Sequence, residues 1–247
     1  MFLFKKKLLN LVLILLIGGL GGILADHFLM PYLASVPPFS NIKFIQQASN
    51  GTTIINPTNE VIITENTAIE NAIDKIGPRL VSIQSYQSIR LVAEGTGFIV
   101  TSDGLIVTAN DLVPARATQV LVSRNSHSSI AEVVKRDLVN NLALIKIEEN
   151  NLSVASFADL EELRLGQRIV LVGLESIGNT LNRFVNLSII KSISSSGLRV
   201  NLFEENAIAN GGPLINIKGE VIGMNLVNQN GLVEVILIDK IKDFINL

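Results

Sequence analysis

Residues 95–113 read GTGFIVTSDGLIVTANDLV. Two apolar, β-branched runs, Phe98–Thr101 and Leu105–Thr108, flank Ser102-Asp103-Gly104, and an Asp-Gly pair in that setting predicts a tight hairpin. The same grammar runs to the end of the chain. Lys218-Gly219 separates two further runs, and Asn230-Gly231 sits between Asn225–Asn228 and Leu232–Leu237. Short runs joined by turns, rather than by helical stretches, predict antiparallel strands and an all-β domain from Arg79 onward. No internal repeat stands out, which sets aside a solenoid or propeller.

Upstream of the strands, Thr67-Ala-Ile-Glu70 fits a capping box opening a short helix over 65–77, with Ile69, Ile73 and Ile76 on one face and Gly77-Pro78 as its stop. Residues 34–64 carry Pro37-Pro38, Asn50-Gly51 and Pro57 with little periodicity and are expected to form an extracytoplasmic linker. Leu8 to Ala25 is an uncharged stretch broken only by Asn10, and apolar flanking continues to Leu33. At about 1.5 Å of rise per residue it covers most of a bilayer core. Lys5, Lys6 and Lys7 precede it and Asp26 comes after it, so the positive-inside rule predicts a single pass in the cell membrane with residues 1–33 as basic start and anchor. The N-terminus is then cytoplasmic and the remainder extracytoplasmic. A signal peptide cleaved after Ile23-Leu24-Ala25 is the competing reading. Gly18 and Gly22 form a G-x-x-x-G pair, which more commonly marks ordinary membrane-helix glycine than a helix-pairing face.

The chain has no cysteine in 247 residues, so no disulfide staples it, and 20 Lys+Arg against 22 Asp+Glu leaves no basic surface for nucleic acid. No cofactor or metal is expected. There is no His/Cys cluster, the Glu161-Glu162 and Glu204-Glu205 pairs read as solvated loop charges, and the glycines at 18–22 lie in the apolar helix rather than in a nucleotide loop. Asn50, Asn151 and Asn186 open sequons of the kind that arise by chance.

Three blocks carry chemistry: the quoted 95–113 stretch, DLVNNLALIKI at 137–147 and NAIANGGPL at 206–214. In this order and spacing they resemble the HtrA/Deg family of membrane-associated and periplasmic serine proteases. The resemblance covers residues 78–247 and extends to Gly166–Val170, similar to the strand opening the family's second barrel, and to Gly219–Asn225, similar to the strand after its serine loop. It implies two six-stranded antiparallel β-barrels of trypsin-like fold, spanning 78–165 and 166–247, with a short C-terminal helix from about Asp239 to Asn246. Family members commonly continue into a PDZ module; only a short helix follows the strands here, so no PDZ domain is expected.

In the family the three blocks supply a catalytic His, an orienting Asp and a nucleophilic Ser. The matching positions here are Asp111, Asn141 and Asn210. Asn210 has no hydroxyl, an aspartate carboxylate with a reference pKa of about 4 is a weak base beside imidazole, and Asn141 could hold geometry without stabilising an imidazolium. The family's glycine-led oxyanion turn is here Ile208-Ala209-Asn210-Gly211, and β-branched Ile208 resists positive φ. His127, in a polar run, reads as a solvated hairpin tip, and Ser194-Ser195-Ser196 as a turn.

The resulting expectation is a pseudoprotease, not an enzyme, that binds unfolded or extended polypeptide by strand addition, or joins a related protease in a mixed assembly, the resemblance implying a homo-trimer. The alternative is a serine-type endopeptidase of the HtrA family with residual or unconventional activity.

Overall fold

The computed structural model describes residues 2–37, 65–125, 127–178, 180–194, 197–228 and 230–246. Most of the expected 34–64 linker, and Ser195-Ser196, lie outside the described residues. The chain divides into two units, residues 1–62 and 63–247.

In the first unit, α1 (Phe2–Leu24) widens into a π turn at Ala25–Leu29 and continues as α2 (Met30–Ser35). Asn10–Leu29 is long and apolar enough to cross a membrane, with a mean hydropathy of 2.0, and its side chains are not buried in the structure.

The second unit opens with α3 (Glu65–Ile76). Glu65 and Asn66 are already helical, so Thr67 does not cap this helix as the capping-box reading expected. The expected apolar face of Ile69, Ile73 and Ile76 is found with Ile69 and Ile76 buried and Ile73 half-buried, and Ala72 is buried beside them. Gly77–Arg79 forms a single 3₁₀ turn with Pro78 near its start, where a missing N–H costs nothing.

Six strands come next: β1 (Leu80–Gln87), β2 (Arg90–Ile99), β3 (Leu105–Ala109), β4 (Gln119–Arg124), β5 (His127–Asp137) and β6 (Leu142–Lys146). They close into a barrel in the order β1-β2-β3-β6-β5-β4. A second set, β7 (Arg168–Ile177), β8 (Thr180–Ser194), β9 (Gly197–Val200), β10 (Pro213–Asn216), β11 (Val221–Val227) and β12 (Val233–Leu237), forms an antiparallel sheet ordered β12-β11-β10-β7-β8-β9. Its ends approach through a Phe203–Leu232 bridge, leaving the second barrel nearly closed. The short helix α4 (Ile238–Ile245) completes the chain.

Period-two alternation explains why these strands have insides. Val81, Ile83, Ile99, Ile106 and Ile145 fill the first barrel, and Ile169, Leu171, Leu214 and Ile222 the second. A third cluster lies between them. There Phe98, Val107, Val170, Val172 and Ile215 pack with Ile69 and Ile76 of α3 and with Ile238, Ile241 and Phe244 of α4. The two helices thus cover apolar faces that the barrels leave outward.

The seam between the barrels is tied by Thr96. Its hydroxyl donates to the Ile208 carbonyl at 2.7 Å and accepts the Leu174 N–H at 2.9 Å, while its own N–H donates to the Asn210 carbonyl at 3.0 Å. Gly95 precedes it because a Cβ there would sit 2.5 Å from Leu112 Cδ1 and 2.8 Å from the Asn210 oxygen. Thr96→Val keeps the shape but strands the Leu174 donor and the Ile208 acceptor; unfolding by denaturant is expected to show a loss of roughly 2–4 kcal/mol.

Candidate active site

Asp111 sits in the 3₁₀ turn Asn110–Leu112 that ends β3. Asn141 immediately precedes β6 with φ 52°, a left-handed conformation that asparagine tolerates better than most residues. It straps the turn from two sides: its carbonyl accepts the Asn110 N–H at 3.0 Å and its Oδ1 accepts the Asp111 N–H at 3.1 Å. Arg136 adds a bond from its guanidinium to Asn110 Oδ1 at 2.8 Å.

The bend that delivers Asn141 is organised by Asp137. One carboxylate oxygen accepts the N–H groups of Val139 and Asn140, and the other accepts the Asn140 side-chain amide. The Asn140 side chain and then its backbone N–H hold the Asp137 carboxyl below its ordinary value.

From the second barrel, Asn210 comes directly after the 3₁₀ turn Ala207–Ala209, with φ −57° and ψ 133°. Its Nδ2 donates to Asp111 Oδ1 at 3.0 Å, and its Oδ1 accepts the Val227 N–H at 3.2 Å. Residues 111, 141 and 210, separated by up to 99 positions, therefore meet in one hydrogen-bonded group where the barrels join. Asp111 is exposed, whereas Asn210 is only 7% exposed.

The turn at 208–211 is internally saturated. The Ile208 N–H donates to Asn206 Oδ1, Ala209 to the Asn206 carbonyl, Asn210 to Ala207, Gly211 to Asn225 and Gly212 to Ala209. Asn206 is held in turn by buried Glu204, which accepts its N–H at 2.9 Å and the Asn186 amide at 3.0 Å. Ile208 is not among the residues of positive φ, and Gly211 is, at +78°. A side chain at Gly211 would meet the Thr96 carbonyl and the Thr108 hydroxyl. Buried Glu204 corrects the expectation that Glu204-Glu205 are both solvated; nothing local distinguishes the two, because Asn186 reaches Glu204 from another strand.

Sequence reasoning missed Thr96, Glu204, Val227 and Asn206 as parts of the site. Only Asn206 left a local signal, an asparagine two residues before an N–H that it caps. His127 begins β5 with its side chain 72% exposed, and its Nε2 is 3.9 Å from Glu149 Oε1. The Ser129 hydroxyl donates to that same oxygen at 2.6 Å. Ser129, then Arg124, hold Glu149 below its ordinary value. Among the described residues no group of three or more His, Asp or Glu is placed to hold a metal ion.

Two antiparallel barrels with a turn from each gathered at their junction define the trypsin-like class. A family model described as "Trypsin-like peptidase domain" matches residues 95–224. "Serine protease HTRA1A" of Danio rerio is 34% identical over 221 residues, covering 83% of this chain and 46% of that protein. A "Probable periplasmic serine endoprotease DegP-like" of Chlamydia pneumoniae is 32% identical over 156 residues, covering 60% of this chain and 30% of that protein. The crystal structure of the serine endoprotease from Yersinia pestis superposes with a TM-score of 0.62 at 23% identity, over 76% of this chain and 67% of that one, a likeness of fold. The chain belongs to the HtrA family of trypsin-like peptidases. It spans less than half the length of these curated relatives.

These findings overturn the expectation that the chain is not an enzyme. The relatives are named serine protease and endoprotease, and the matched model is that of a peptidase domain. The physical reason is that the absence of a hydroxyl at 210 and of an imidazole at 111 bears on one route only. A solvent-facing carboxylate can activate water directly.

The Asp137 bend yields a pH prediction. Because its folded value is depressed, the stabilisation is complete above the ordinary carboxylate range and is lost as pH falls through the lower, folded value. Hydrogen exchange at Val139 and Asn140 should therefore stay slow down to mildly acidic pH and quicken only below that range. Asp137→Asn should remove the step.

Proposed function

We propose that the double barrel is an extracytoplasmic, membrane-tethered endopeptidase of the HtrA family that receives extended polypeptide at the barrel junction and hydrolyses it through water activated by Asp111, with no serine acyl-enzyme at residue 210. The observation that carries this reading is the Asp111–Asn210 contact: an exposed carboxylate whose Oδ1 is fixed by an amide at 3.0 Å and whose Oδ2 takes no hydrogen bond among the described residues. A carboxylate so oriented can accept a proton from water attacking a peptide carbonyl. The Asn141 bond to the Asp111 N–H keeps the turn in place. Extended polypeptide as the substrate class rests on strand addition, which uses backbone groups alone.

Purified protein incubated with casein is expected to give slow cleavage that Asp111→Asn abolishes, with no fluorophosphonate label on the chain. Absence of casein fragments above a protein-free blank would sink the reading. Replacing Asp111→His, Asn141→Asp and Asn210→Ser together should raise the rate by about 100-fold or more. Adding Ile208→Gly to that triple change should raise it further, since the Ile208 turn as it stands directs its N–H groups inward.

Membrane tethering is supported by the apolar helix and the lysines before it, and extracytoplasmic placement by the periplasmic name of the Chlamydia pneumoniae relative. The expected outcome is recovery in the membrane fraction after a carbonate wash, with the N-terminal sequence intact. A soluble product starting near Asp26 would instead identify a cleaved signal.

A further inference from the structure

Besides the bond from its N–H to the Ala207 carbonyl, Asn210 makes three hydrogen bonds that bear on a single intramolecular reaction. Its Nδ2 donates to Asp111 Oδ1 at 3.0 Å, its Oδ1 accepts the Val227 N–H at 3.2 Å, and its main-chain oxygen accepts the Thr96 N–H at 3.0 Å. The donor and carboxylate neighbours fix the orientation of the amide, since only its nitrogen can face a carboxylate. The next residue is Gly211, which adds no side chain to crowd a ring closure.

The geometry points to the Asn210–Gly211 peptide bond as a site of self-cleavage. Asp111 accepts a proton from Nδ2, and the nitrogen attacks the carbonyl carbon of its own residue, forming an N–C bond that closes a five-membered imide. The Val227 N–H draws electron density onto Oδ1 and makes Nδ2–H easier to remove. The Thr96 N–H stabilises the negative charge that develops on the Asn210 oxygen. The C–N bond to Gly211 then breaks, and its nitrogen leaves as an amine carrying the proton that Asp111 took. The products are one chain ending in an aminosuccinimide at 210 and another beginning at Gly211; water opens the imide later. No oxidant, cofactor or second polypeptide takes part, and reacting groups on one residue need no encounter.

The rival reaction at an Asn-Gly pair is attack of the Gly211 nitrogen on the side-chain carbonyl, giving deamidation. The Gly211 N–H is engaged with the Asn225 carbonyl at 2.9 Å, and that bond would have to break first. Scission keeps the seam contacts in place up to the bond that breaks. Because it occurs within one chain, its failure and a failure to cleave casein are separate results.

The test is the intact mass of full-length protein in mild detergent, monitored over days near neutral pH. The expected result is a fragment 211–247 with a free Gly211 amine and a partner fragment ending at Asn210 that is, at early times, lighter by one water than a hydrolysis product. Asn210→Ala should abolish the split. Asp111→Asn, an exposed change whose folding is checked by circular dichroism, should slow it by about 100-fold. An unbroken chain, a gain of one mass unit without scission, or a split with full water at its new C-terminus and a rate indifferent to Asp111→Asn would each overturn the assignment.

Discussion

The relation between the two barrels depends on the seam at Thr96. This fully buried residue of β2 uses its hydroxyl as donor and acceptor and its N–H as donor toward the second barrel, and its carbonyl accepts the Thr108 hydroxyl from the first. Each bond contributes on the order of 1 kcal/mol net, but a buried group left without a partner costs about 1–3 kcal/mol, so the set resists piecemeal loss. Two of its partners, the carbonyls of Ile208 and Asn210, belong to the turn that carries the site. The position of Asn210 against Asp111 is therefore a consequence of how the barrels are joined, and a shift of one barrel would be felt first at that contact.

What was legible in the sequence was local. Asp103-Gly104, Lys218-Gly219 and Asn230-Gly231 mark hairpins because a tight reversal has few solutions, and each is found where its turn chemistry put it. The family blocks matched residues 111, 141 and 210 to the family's triad positions, but spacing alone carries no information about which atoms face each other. Thr96 lay in plain view within GTGF, yet its partners are 78 and 112 residues away. Glu204 and Glu205 look alike in the chain, and only Asn186 and Asn206, brought in by the sheet and the turn, set Glu204 apart. Three side chains did not decide the whole activity for a related reason: residue identity restricts a route, and the family relationship speaks to the scaffold as a whole.

The saturated turn at 206–212 defines a balance. With every N–H from 208 to 212 paired inside the protein, an incoming carbonyl must compete with Asn206 for the Ile208 donor. A capping bond of this kind is worth about 1 kcal/mol, well within what binding of an extended peptide can offset. Glu204 raises that barrier by fixing the Asn206 backbone from below.

Asp111 is the only charged side chain in the hydrogen-bonded group of residues 111, 141 and 210, and both amides leave that charge unneutralised. A hydrogen bond from a neutral amide to a carboxylate is strengthened by the acceptor's charge. The two carboxylate oxygens then have different tasks. Oδ1 accepts a hydrogen bond from Asn210 Nδ2, whereas Oδ2 takes no hydrogen bond among the described residues. The hydrolysis and the self-cleavage proposed above would draw on the same carboxylate, and which is faster would depend on whether the Asn210 amide stays on Oδ1 when a peptide enters the junction.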